Sequence, residues 1–178
     1  MERGGLSINT LMDSGNKMRK QYLVRISDMK MAQGDVDITT YALGSCVGIS
    51  FYDPCRKMGA LLHILLPEQP AGRDPNDMKY ADSGIRTTWA ILEKHGFTRE
   101  NTVVKIAGGA RMFPVNEKEG GLGDIGRKNI AKVREILSEK GLLIQGEDVG
   151  GEAARTMTLD VGSGKVVIRP AGGKEIVL

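Results

Sequence analysis

The sequence is poor in the residues from which cofactor sites are usually built. Among 178 residues there are two cysteines, Cys46 and Cys55, and two histidines, His63 and His95. Their spacings fit no zinc-ligand pattern, so neither a metal nor an organic cofactor is expected. Aromatic residues make up 4%, with Trp89 the single tryptophan, which removes the stacking platform that single-stranded nucleic acid requires. The 25 basic and 22 acidic residues are interleaved, without the long cationic run that would suit a phosphate backbone. No apolar run approaches the roughly 20 residues that cross a bilayer, so membrane insertion is not expected. Residues 1–20 hold Gly, Ser, Asn and charges without an apolar block, unlike a secretion signal. The expectation is a cytoplasmic protein with reduced thiols, and a Cys46–Cys55 disulfide would suit only an exported chain.

What is present describes one globular domain over residues 21–178, preceded by a flexible tail over 1–20. Strands are predicted at Tyr22–Ile26 and Asp35–Thr40. From Cys46 to Tyr52 the chain alternates, with Val47, Ile49 and Phe51 on one face and Cys46, Gly48, Ser50 and Tyr52 on the other. Ala60–Leu66 is apolar almost throughout, as a strand covered on both faces would be. Asp74-Pro75 reads as the start of a first helix, which Gly96 ends, and Ile125–Lys140 as a second helix stopped by Gly141. Further strands are predicted at Val103–Ala107, Leu142–Ile144, Thr156–Val161 and Lys165–Arg169. Strands at both ends with two helices between them predict an α+β fold of packed sheets with helices on an outer face.

Two motifs are set aside. Gly121-Leu122-Gly123-Asp124-Ile125-Gly126 matches the dinucleotide fingerprint GxGxxG, with Glu147 placed as its acidic residue. The segment before it, Asn116–Gly120, is polar, whereas the fingerprint needs a strand running into its first glycine. His95 falls in the last helical turn before Gly96, where an imidazole suits the helix dipole.

Cys46 and His63 remain. Cys46 closes the small-residue turn Gly44-Ser45-Cys46, and His63 follows 17 residues later inside Leu61-Leu62-His63-Ile64-Leu65. A buried imidazole needs a hydrogen-bond partner. If a hairpin places Tyr52 opposite Gly59, His63 faces Gly48, on the same strand face as Cys46 and two residues from it. A thiol and an imidazole so placed are equipped for thiolate attack on a carbonyl carbon, which predicts Cys46 to be the more reactive thiol. Thr39 or Thr40 can hold the far ring nitrogen. The backbone N–H groups of Ser45 and Cys46 are candidate oxyanion donors. Glu117–Gly126 and the proline loop Pro67–Asn76 lack packing residues and are candidate mobile walls of a cleft.

The runs Thr39–Pro54 and Gly59–Pro67 resemble the chemoreceptor glutamine deamidase family, CheD. The resemblance continues through Tyr80-Ala81-Asp82, Lys105–Met112, Ile125–Asn129, Asp148–Gly151 and Ser163–Val166, about residues 22–170 in all. Ala60 stands where the family often carries a glycine. The resemblance implies that Cys46 is the nucleophile, His63 the general base and acid, and Thr40 the residue that orients His63. It implies deamidation of glutamines on methyl-accepting chemotaxis receptors, and a CheC-type phosphatase of the response regulator as a second partner. A non-catalytic protein acting mainly on that phosphatase is the alternative it allows. The fold it implies is a β-sandwich-centred cysteine hydrolase similar to bacterial toxins that deamidate host GTPases.

Overall fold

The computed structural model describes residues 19–71, 74–112 and 125–178. Two five-stranded sheets carry the fold. The first has the order β1 (Lys20–Val24), β3 (Val36–Leu43), β8 (Arg155–Asp160), β9 (Val166–Pro170) and β10 (Ile176–Val177). The second has the order β2 (Asp28–Gln33), β5 (Met58–Ile64), β4 (Val47–Asp53), β6 (Val103–Gly108) and β7 (Ile144–Val149). Helices α1 (Ala81–Lys94) and α2 (Ile125–Glu139) lie against this second sheet.

The alternation in β4 explains the layering. Val47, Ile49 and Phe51 join Leu62, Ile64, Ile85, Trp89, Val133 and Ile136 in a core between sheet and helices. Cys46 and Tyr52 face the other way, into a second core with Leu43, Leu61, Met157, Leu159 and Ile168 from between the sheets. Both faces of β4 are therefore buried along its whole length. The α+β expectation of packed sheets with helices outside one of them holds.

The β4–β5 register is the one expected from the sequence: Tyr52 pairs with Gly59, and His63 with Gly48. Gly48 does not leave open space, however. A Cβ there would lie 2.9 Å from Met157 Sδ and 3.0 Å from Leu43 Cδ1, so the glycine lets the opposite sheet close down beside His63.

Other boundaries differ. β2 was not expected; it pairs antiparallel with β5, Asp28 opposite His63. Asp74-Pro75 does not open α1. A single 3-10 turn at Asp77–Lys79 intervenes, and α1 starts at Ala81. Asp74 instead accepts from the Asn76 N–H, Lys79 Nζ and Tyr80 Oη, which holds its carboxyl down at about 2. The proline loop is tied as well: Gln69 N–H donates to Asp82 Oδ1 and Gln69 Nε2 to the Asp74 carbonyl. Gln69 thus anchors the first part of this loop. The segment Glu117–Asp124, with most of the GxGxxG match, and the tail up to residue 18 lie outside the described residues. Among the described residues no helix is long and apolar enough to cross a membrane.

The start of α2 meets the chain after β6 almost backbone to backbone. A Cβ on Gly126 would sit 2.5 Å from the Gly109 carbonyl oxygen and 2.7 Å from that of Ala110. Gly126→Ala is therefore expected to destabilise the fold by about 1–3 kcal/mol, as overpacked core positions do. Chemical denaturation checks this, and an unchanged midpoint would show that the helix shifts freely.

Candidate active site

The site is built where the first sheet hands the chain to the second. Between β3 and β4 the residues Gly44-Ser45-Cys46 turn, preceded by Ala42 at φ 57 and a register shift between Thr40 and Leu43. Four carbonyls of this segment are engaged. Ala42 O accepts from the Gly44 N–H at 2.8 Å, and Gly44 O from the Ala110 N–H at 2.7 Å. Ser45 O accepts from Asn129 Nδ2 at 2.8 Å, and Cys46 O from the Gly109 N–H at 2.7 Å. The N–H groups of Ser45 and Cys46, by contrast, donate to no other residue's carbonyl among the described residues.

Gly108 explains why the chain after β6 can approach so closely. Its φ is +113, and a Cβ there would collide with the Cys46 carbonyl oxygen. Arg155, buried on β8, fixes the same region by donating to the carbonyls of Gly108, Asp148 and Gly150. Gly109 is equally confined, since a Cβ there would lie 2.5 Å from the Ile130 side chain.

His63 is fully buried in β5. Its Nδ1 lies 2.7 Å from Thr40 Oγ1, and that hydroxyl lies 2.9 Å from the Val24 carbonyl. The hydroxyl has one hydrogen, and a carbonyl can only accept it. Thr40 therefore donates to Val24 and accepts from Nδ1–H, which leaves the lone pair on Nε2. No residue is bonded to Nε2 among the described residues. Thr39, the other candidate, bonds to Gln21 Nε2 and Thr158 Oγ1, so Thr40 is the partner of His63.

Burial sets the protonation state. It pushes the Cys46 thiol up, a shift opposed by the residue's own backbone N–H. It also pulls the His63 imidazole down to about 4. Both shifts favour a neutral thiol and a neutral imidazole over a preformed ion pair. Cys46 is 6% exposed, whereas Cys55 is exposed, and both are free. The expectation that Cys46 is the thiol labelled first has access against it in the resting protein, because Cys46 is the buried thiol and Cys55 the exposed one.

Asn129 is the residue that sequence reasoning missed. It is fully buried on α2, and its Nδ2 donates both to Ser45 O and to Leu65 O at 3.0 Å. Its signal was present: an amide at position 129 lies on the helical stripe of Val133 and Ile136. His95 is exposed at the end of α1, donating through Nδ1–H to the Ile91 carbonyl at 2.9 Å, as expected of a helix terminus. Glu147 pairs with Arg134 on the surface. No group of three or more acidic, His or Cys side chains suited to a metal occurs among the described residues.

Comparison with known proteins places the chain in a family. A model described as CheD chemotactic sensory transduction matches residues 65–170. A Clostridium botulinum protein named "Probable chemoreceptor glutamine deamidase CheD" is 41% identical over 150 residues, covering 84% of this chain and 92% of its own. A Pyrococcus abyssi protein of the same name is 38% identical over 161 residues, covering 90% and 98%. Among solved structures, Bacillus licheniformis hypothetical protein YfiH is similar over 68% of this chain and 49% of its own, with 16% identity and a TM-score of 0.43. With a family model spanning more than half its length and relatives aligned nearly end to end, the chain belongs to the CheD family.

Proposed function

We propose that this protein is a chemoreceptor glutamine deamidase that works through a Cys46 thioester, in the manner of a cysteine hydrolase. The observation that carries the mechanism is the tautomer of His63. With Nδ1–H committed to Thr40, Nε2 is a neutral base in a buried site, on the strand face shared with Cys46. Nε2 takes the Sγ proton as the thiolate adds to the glutamine Cδ. The Ser45 and Cys46 N–H groups, free of backbone partners among the described residues, receive the oxyanion. The proton then passes to the amide nitrogen, the C–N bond breaks and ammonia leaves. Water, deprotonated by Nε2, adds to the thioester; the C–S bond breaks, giving glutamate and regenerating the thiol. Each step uses groups supplied by this chain.

The names of the relatives supply the substrate class, chemotaxis receptors. A CheC-type phosphatase as second partner rests on the sequence resemblance. Retention of Cys46, His63 and Thr40 together favours an enzyme over a purely regulatory partner. Incubation with receptor cytoplasmic fragments tests the reading: ammonia release and the glutamine-to-glutamate mass change are expected at discrete sites. Absence of both would sink it.

Thr40→Val keeps the shape but removes the hydroxyl. It leaves the His63 Nδ1–H and the Val24 carbonyl unpaired, a loss of about 1–3 kcal/mol. Borne by the transition state, this lowers turnover roughly 5- to 150-fold. Steady-state kinetics should therefore show a loss smaller than that at Cys46, and unchanged turnover would remove Thr40 from the machinery.

A further inference from the structure

The Ser45–Cys46 peptide holds one proposed oxyanion donor, the Cys46 N–H, and one carbonyl, Ser45 O. No cis peptide bond occurs among the described residues, so these two groups point in opposite directions across one rigid plane. Whatever holds the carbonyl therefore aims the N–H. Asn129 Nδ2 holds it at 2.8 Å, and with its second hydrogen holds Leu65 O, two residues beyond His63. One buried amide thus ties the nucleophile's turn to the chain leaving the base.

The orientation of the amide is fixed, because two carbonyls face Nδ2 and only the NH₂ end can serve them. Its Oδ1 is buried with no partner among the described residues. An unpaired buried acceptor is unfavourable, so the side chain is accounted for by its two donors and not by packing. The hydrogen bond to Ser45 O also polarises the peptide, which makes the Cys46 N–H a better donor. Helix α2 delivers this amide because Gly126 lets its first turn approach the Gly109 carbonyl.

We infer that Asn129 is a positioning residue: it holds the Ser45–Cys46 peptide so that the Cys46 N–H meets the oxyanion. The inference rests on the proposed reading for the natural substrate but not for its test. Acylation of Cys46 by p-nitrophenyl acetate forms a tetrahedral oxyanion, whereas alkylation by iodoacetamide is a direct displacement that forms none. Both rates are measured by intact mass in a Cys55→Ser background, for the parent, Asn129→Leu and Val133→Ala. Val133 is buried on the same helix and serves as the control for lost stability. Asn129→Asp, which keeps the shape but faces both carbonyls with acceptors, stands in if the leucine variant does not fold.

The expected result is acylation slowed roughly 10- to 100-fold in the Asn129 variant, with alkylation within about twofold. Loss of a whole donor costs roughly 10²–10³. Val133→Ala should leave both rates unchanged. Acylation and alkylation falling together, or neither falling, overturns the inference. If the parent fails to deamidate receptor fragments while the acylation defect persists, the substrate reading fails and the role of Asn129 stands.

Discussion

Cys46→Ala is expected to reduce deamidation of receptor fragments by about 10⁵–10⁶, as removal of a covalent nucleophile does. Folding should be almost unaffected. The sulfur lies in the core between the sheets, 6% exposed, but the turn that carries it is held by backbone and Asn129 bonds that alanine preserves. Loss of one sulfur from a collapsible site costs about 1 kcal/mol. A thermal melt near that of the parent, together with lost turnover, separates chemistry from folding. Substantial turnover in the variant would rule out the thioester.

His63 carries the second large effect, and it concerns pH. In the fold the imidazole is pulled from 6.5 to about 4 by burial. Between those values the unfolded chain binds a proton that the folded chain does not, so stability falls as pH drops through this window and is fully present above it. The shift is worth about 3 kcal/mol. His63→Gln removes this contribution, so the parent should lose more stability than the variant between pH 7 and pH 4, measured by denaturant unfolding. Equal losses would show that the imidazole does not stay neutral. The same substitution should lower turnover roughly 10²- to 10⁴-fold, the usual contribution of a general base. The acid limb of the parent's kcat/KM should lie near pH 4, well below the limb of an ordinary histidine.

The hairpin that carries the site was legible because both its strands are extreme. β4 alternates without exception, and β5 is apolar except for one imidazole that has to be explained. The pairing of His63 with Gly48 followed from a turn whose length fixes the register. β2 was not legible. Asp28-Met29-Lys30-Met31 alternates polar with apolar, but the segment has no β-branched or aromatic residue, and it is a strand because β5 offers it an edge.

The start of α1 was misplaced for the opposite reason. Asp74-Pro75 has the chemistry of a helix cap, but Asp74 spends its carboxylate on Asn76, Lys79 and Tyr80. Apart from the family resemblance, the choice between Thr39 and Thr40 depended on which way β3 faced, and the strand's placement against Val24 decides it. Asn129 lies 84 residues beyond Ser45, whose carbonyl it holds. No local rule connects them, and its sole trace was a polar side chain on an apolar stripe.

The most direct measurement is an acid quench in the first turnovers with a glutamine-containing receptor fragment, followed by intact and peptide mass analysis. The account predicts a fragment joined to Cys46 through a thioester, formed with loss of ammonia and absent from Cys46→Ala. Ammonia release at the full rate with no adduct on Cys46, and retained in Cys46→Ala, would contradict it.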